Sequence, residues 1–512
     1  MNSEVKKNNL ACLITFDRLP SGMENQTGFR KEIKLLDGVM LVAGTMIGSG
    51  IFIVSADIAR TVGSSGYLLL VWGISGFLTI IAALSYGELT GMFPKAGGQY
   101  VFLREAFSPL FAFLYGWTLF LVIQTGTIAA VGVAFAKFTG VFFPALSEKH
   151  ILLQIGKFSI SAAQFLAIAV ILLLTYINIQ GVKSGKIIQT FFGSTKILAL
   201  FGLIAIGLFV SSSDAIHINF SHLWDAKKVV MENGIITDRI PLVGWALIAA
   251  IGTAMVGSMF SMDAWNNITF AGEEVVNAKR TIAWSMGIGT MLVAFIYIMM
   301  NVVYLVNLPL EGTPAASTAE SRNIFAQGIQ FAANDRVGVA VADVMAGHHA
   351  VLIVAALIML STFSCLNGLI LSGARVYFKM AEDKLFFARM SKLNSKGVPA
   401  VALIFQGIWA SLLCLSGTYG NLLDYVVFAV LLFYLLTILG IFVLRKKLPN
   451  ADRPYKAFGY PVIPIVYLAL VTLMCIILLL YKPEYTWPGF IIVALGVPVY
   501  FFLKNRNEKS GS

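Results

Sequence analysis

Gly44, Gly48 and Gly50 fall within seven residues of the otherwise apolar stretch from Asp37 to Phe52, and Ser49 sits between the last two. Glycine weakens a helix more than any residue except proline, so the spacing predicts a helix that stops and restarts here. A restarting helix begins with backbone N–H groups that have no acceptor, and its dipole leaves partial positive charge at that end. The chemistry on offer is anion binding, with a carboxylate as a natural ligand. A second reading uses the same residues: Gly44-x-x-x-Gly48 is also a spacing at which two apolar helices approach closely. Spacing alone leaves both open.

Other polar groups interrupt apolar runs farther along. Asp263, Asn266 and Asn267 break the segment that begins near Gly257, and Glu273 and Glu274 follow. Lys196 stands about nine residues inside another run, roughly 14 Å along a helix. Reaching water from there would strain a lysine side chain. An ammonium at that depth costs at least about 2.5 kcal/mol, so a dedicated partner is expected. Glu88 lies near the end of its run and reads more simply as the partner of a basic loop residue.

The elements that must position these groups follow from composition. Of 512 residues, 58% are hydrophobic and 12% charged, against about 25% charged in a soluble domain. Lipid must therefore be the main solvent. A spanning helix needs about 20 apolar residues, and twelve runs qualify: 35–59, 66–93, 100–138, 160–180, 186–211, 241–270, 281–306, 348–379, 399–417, 421–445, 461–481 and 486–503. Connections on one side carry Lys95 and Arg104, Lys183 and Lys186, Lys279 and Arg280, the cations from Lys379 to Lys396, and those from Arg445 to Lys456. The positive-inside rule puts that side, and both termini, in the cytoplasm. The expected organisation is a cytoplasmic tail over 1–34, one transmembrane domain over 35–503, and a second cytoplasmic tail over 504–512.

The net charge of +11 is then a collar at the membrane surface and no sign of nucleic acid. Residues 1–34 have no apolar core suited to a cleavable signal. Cys12, Cys365, Cys414 and Cys475 avoid polar loops, so no disulfide framework is implied. Adjacent His348 and His349 lack a ligand spacing, and neither a metal nor a cofactor is expected. A channel would need a repeated pore-lining pattern, and an enzyme would need paired acid–base or nucleophilic groups; neither pattern is found.

Four groups of residues follow one another in order along nearly the whole chain. They are Gly44 to Phe52; Tyr86 to Leu89 with Pro94 to Tyr100 and Phe113 to Trp117; Phe260 to Asn267 with Glu273, Glu274 and Asn277 to Arg280; and Gly373 to Asp383 with Arg453 to Lys456 and Gly459 to Pro461. Together they resemble the amino acid–polyamine–organocation (APC) superfamily, more closely its L-type amino acid transporter branch. The resemblance implies an all-α integral membrane protein with the leucine-transporter fold. It would have twelve transmembrane helices, inverted repeats of five over about 35–211 and 241–445, two extra helices over 461–503, and broken helices 1 and 6.

Carried onto this sequence, Gly48, Ser49 and Gly50 would donate to a substrate carboxylate. The α-amino group would meet carbonyls near Met46, Phe260 and Asp263, with Phe260 as an aromatic gate. Asn266 and Thr127 would line the site. Lys196 matches a lysine that replaces a sodium ion in related sodium-independent members and links helix 1 to helix 8, where Ser361 or Ser364 would be its partner. Two features depart from the branch. Asp263 stands where L-type members often have glycine, and residues 139–159 lack the cysteine by which human-type members join a glycoprotein heavy chain, so no such disulfide partner is expected. The implied function is sodium-independent exchange or proton-linked transport of neutral amino acids across the plasma membrane. The alternatives are a cationic amino acid or polyamine permease, or a non-transporting amino acid sensor of the same fold.

Overall fold

A computed structural model describes residues 31, 33–95, 97–148, 150–155, 158–232, 234–314, 323–416 and 419–510. Nearly all of the expected N-terminal tail, Cys12 included, lies outside these residues, as do the side chains of Lys183 and Lys186.

The first span is broken. Helix α1 (Leu35–Met46) and α2 (Gly50–Val62) meet at 45°. After α3 (Ser65–Met92), the long third run divides. A short α4 (Gln99–Ala106) precedes α5 (Pro109–Thr118), which continues through a π-turn into α6 (Gln124–Phe142) as one 34-residue span. The division at Ser108 and Pro109 has a local cause. Ser108 is fully extended and Pro109 opens the next helix, because proline excludes the helical region for the residue before it while fitting the first helical turn.

A hairpin of β1 (Ile151–Ile155) and β2 (Phe158–Ser161) leads to α7 (Ala162–Ile179) and α8 (Val182–Phe209). Then come α9 (Ser213–Ser221) and a second antiparallel hairpin, β3 (Lys227–Glu232) with β4 (Ile235–Pro241). Helix α10 (Gly244–Ser261) yields to a 3-10 helix at Trp265–Glu274, and α11 (Ala278–Asn307) follows. The chain continues through α12 (Ile324–Gln327), α13 (Val337–Glu382), α14 (Ala400–Leu413), α15 (Tyr419–Lys447), α16 (Val462–Tyr481) and α17 (Pro483–Ser510). Helix α13 bends at Ala346 and Gly347, where Gly347 has φ 69°. The core forms where α11 packs along α3 and α1, and α13 along α6, α8 and α1.

Among the described residues, ten helices are long and apolar enough to cross a membrane, and the α1–α2 pair makes an eleventh. The expected span at 399–417 holds a shorter apolar helix. Its helix, α14, has 14 residues, about 21 Å at the usual rise and short of a hydrocarbon core about 30 Å thick. Helix α17 runs on to Ser510, into the expected C-terminal tail.

Glu88 is the centre of a polar anchor. Its carboxylate, 1% exposed, accepts from Arg445 at 2.9 and 2.7 Å, from Arg453 Nε at 3.2 Å and from the Ala457 amide at 2.8 Å. It thereby ties the loop after α15 onto α3. At the opposite end of the bundle, Arg60 at the end of α2 donates to the Gln330 carbonyl and to Asp335, both at 2.7 Å.

Candidate substrate site at two helix breaks

The end of α1 leaves carbonyls that an unbroken helix would have used, and each finds a donor. The Ile47 amide takes Ala43 O at 2.9 Å. Lys196 Nζ, from α8, donates to Gly44 O and, at 2.7 Å, to Ile47 O. Cys365 Sγ, from α13, reaches Thr45 O at 3.1 Å. Tyr297, from α11, donates to Met46 O at 3.1 Å, and Ser361 Oγ to Ile47 O at 3.2 Å. Three helices thus satisfy the broken end, as burial requires. The ammonium also lies against the negative end of the α1 dipole, where a cation is favoured.

Helix α2 restarts at Gly50 with Ser49 as its cap, and Phe52 N donates to Ser49 O at 3.0 Å. The glycines serve packing as well. A Cβ on Gly50 would fall 2.0 Å from Ser261 Oγ, and one on Gly48 would fall 3.2 Å from Cys365 Sγ. Break and close packing, open alternatives in the sequence, coexist because a helix end pressed against its neighbours has no room for side chains.

Ser261 is the last residue of α10, so the first break abuts a second one. Met262 to Ala264 leave the helical path, with Ala264 at φ 68°, before the 3-10 helix begins. Thr45 Oγ1 bridges the two breaks through Ala264 O at 3.2 Å.

A cavity opens beside the second break. Thr127, Asp263, Asn266 and Asn267 contribute to its wall, with Gln99 and Tyr434. Asp263 accepts from Tyr434 Oη at 2.5 Å. Asn266 Nδ2 donates to Gln99 Oε1 at 3.2 Å, and Gln99 Nε2 donates to Thr437 at 2.9 Å. Among the described residues, Asn267 Nδ2 is buried with no hydrogen-bond partner. Thr127 Oγ1 is satisfied by its own helix, at Ile123 O.

The structure therefore gathers the expected residues into two adjoining groups. Thr127, Asp263 and Asn266 line the cavity, whereas Met46, Gly48, Ser49, Gly50 and Phe260 are buried at the breaks themselves and lie outside that lining. Lys196 and Ser361 line a separate apolar pocket with Phe52. Ser361 meets Lys196 through their shared acceptor, and among the described residues the Ser364 hydroxyl is buried without a partner. Tyr297, Cys365 and Tyr434 escaped the sequence reading. Their one signal was a polar group within an apolar run, which aromatic hydroxyls and thiols scarcely announce. Among the described residues, no three His, Cys, Asp or Glu side chains converge as a metal site.

Residues 33–502 match the family described as amino acid permease. The b(0,+)-type amino acid transporter 1 of Mus musculus is 26% identical over 479 residues, spanning 93% of this chain and 88% of its own. The large neutral amino acids transporter small subunit 2 of Homo sapiens is 29% identical over 474 residues, spanning 92% of this chain and 80% of its own. The chain belongs to the amino acid permease (APC) family, and it is a multi-span membrane transporter of amino acids, not an enzyme.

Proposed function

We propose that the chain is a sodium-independent secondary transporter that exchanges neutral amino acids, or carries them with a proton, by alternating access. The observation that carries this reading is the paired break. The amide end of α2 is held a few ångströms from the interrupted α10, and a fixed ammonium occupies the carbonyl end of α1. Broken helices at corresponding places in two halves of a transporter are the usual frame of a midplane site. On this reading the fold is the leucine-transporter arrangement, with repeats over 35–211 and 241–445 and extra helices over 461–503.

The substrate carboxylate meets the amides of Gly48, Ser49 and Gly50. Its ammonium meets carbonyls near Met46, Phe260 and Asp263, and Phe260 closes over it. The substrate side chain enters the cavity lined by Thr127, Asp263 and Asn266. Lys196 replaces a sodium ion, with Ser361 and Ser364 beside it on α13. The basic connections support a plasma-membrane orientation with both termini cytoplasmic. Residues 139–159 contain no cysteine for a disulfide-linked partner, so the chain is read as working alone.

Counterflow in proteoliposomes tests this. Vesicles loaded with unlabelled neutral amino acids should accumulate labelled leucine or alanine without sodium. Failure across a panel of twenty amino acids, with binding retained, would point to a sensor. A second reading, transport of cationic amino acids or polyamines, rests on Asp263, whose carboxylate lines the cavity. Competition among labelled alanine, leucine and arginine separates the two.

A further inference from the structure

The loop between α13 and α14 is basic on its open face. Lys384, Arg389, Lys392 and Lys396 are exposed, and the sequence has no aspartate or glutamate between Asp383 and Asp424. The two acids just before it are engaged elsewhere: Glu382 pairs with Lys379, and Asp383 accepts from Arg104 and Tyr100. Basic clusters beside a membrane segment attract anionic lipid, but charge alone would describe much of the surface of this chain.

Three further features set this loop apart. Phe387 is 61% exposed and stacks on Phe405, with ring centroids 6.3 Å apart and planes at 29°. Phe405 is itself 48% exposed and lies beside Ile404, Ile408 and Leu412, exposed at every fourth residue of α14. That stripe is apolar and faces outward, so it faces lipid, and the stack draws the loop down along it. Lys396 Nζ, which donates to Gln180 Oε1 at 2.6 Å, fastens the other end of the loop to the end of α7. Finally, α14 is about 9 Å shorter than a hydrocarbon core, so polar headgroups must dip toward one of its ends. Aromatic rings and long basic side chains are the groups that settle at that level.

We propose that residues 384–396 bind the headgroup of an anionic phospholipid, with the phosphate held by Arg389 and Lys392 and the acyl chains laid along the Phe405–Leu412 face of α14. The experiment uses the full-length protein in detergent, titrated with phosphatidylglycerol, phosphatidylcholine or inorganic phosphate while the thermal midpoint is followed. Phosphatidylglycerol should raise the midpoint above phosphatidylcholine, and phosphate should not. The combined variant Lys384→Gln, Arg389→Gln, Lys392→Gln and Lys396→Gln should lose that rise while keeping the wild-type midpoint in phosphatidylcholine. The charge-preserving variant Lys384→Arg, Arg389→Lys, Lys392→Arg and Lys396→Arg should retain it, as should Lys279→Gln with Arg280→Gln, which removes charge from another connection. Equal midpoints of the wild type in the two lipids, an equal rise with phosphate alone, or an equal loss in the Lys279 and Arg280 variant would each overturn the proposal.

Discussion

Lys196 and Ser361 meet at one atom, the carbonyl oxygen of Ile47, which accepts from the ammonium at 2.7 Å and from the hydroxyl at 3.2 Å. The two donors come from α8 and α13, so the broken end of α1 is held from both sides at a single point. A bound cation would be expected to gather carbonyl and hydroxyl oxygens in the same way. On the proposed reading the Lys196 ammonium, covalently part of the chain, stands in for such an ion.

Removing that ammonium should cost both stability and transport. Lys196→Ala leaves Gly44 O without its donor, a loss of about 1–3 kcal/mol for a buried acceptor, while Ile47 O keeps Ser361. The expected outcome is a lower thermal midpoint with abolished exchange in proteoliposomes. Uptake that survives with an unchanged pH dependence would remove Lys196 from the coupling mechanism.

If the Ser49 amide meets the substrate carboxylate, as proposed, substitutions there separate backbone recognition from side-chain recognition. Its φ of −89° is near the range of proline, so Ser49→Pro removes one N–H with little change of path. Exchange of every substrate should be lost alike, while Ser49→Ala, which keeps the N–H, should retain exchange. Loss confined to some substrates would mean that this end of α2 reads the side chain instead.

The first break was legible because glycine acts locally: three of them within seven residues weaken a helix whatever surrounds it. Lys196 was legible because a charge inside an apolar run needs an explanation from sequence alone. Tyr297 and Cys365 were not, since their bonds to Met46 and Thr45 join positions 251 and 320 residues apart. Nothing nearby in sequence records such a pairing. The length of α14 escaped for another reason. Residues 399–417 carry no charge, but helix ends depend on backbone geometry, and the helix stops at Leu413.

Glu88 carries a structural load that a stability measurement can isolate. Glu88→Ala leaves the half-buried Arg453 with backbone carbonyls but no carboxylate, and the Ala457 amide loses its acceptor. The cost should be about 3 kcal/mol, the low end for breaking a buried pair, because Arg445 can turn toward water. Thermal unfolding should show a lower midpoint, and Glu88→Asp should recover part of it. An unchanged midpoint would mean that the loop after α15 holds its place without this anchor.

If Asp263 reads the substrate side chain, as proposed, its bond to Tyr434 bears on selectivity. In the folded chain the carboxylate already accepts from the tyrosine hydroxyl at 2.5 Å, so part of its accepting capacity and charge is spent before a cationic substrate arrives. Arginine should therefore compete poorly against labelled leucine in the wild type. Tyr434→Phe removes the donor and leaves the carboxylate lining the cavity, and arginine competition should rise in that variant. Asp263→Asn in the Tyr434→Phe background should abolish the gain, because the amide carries no charge for the guanidinium to meet. Strong arginine competition in the wild type, lost in Asp263→Asn alone, would instead favour the cationic reading, with Tyr434 as the orienting partner of a carboxylate that binds substrate.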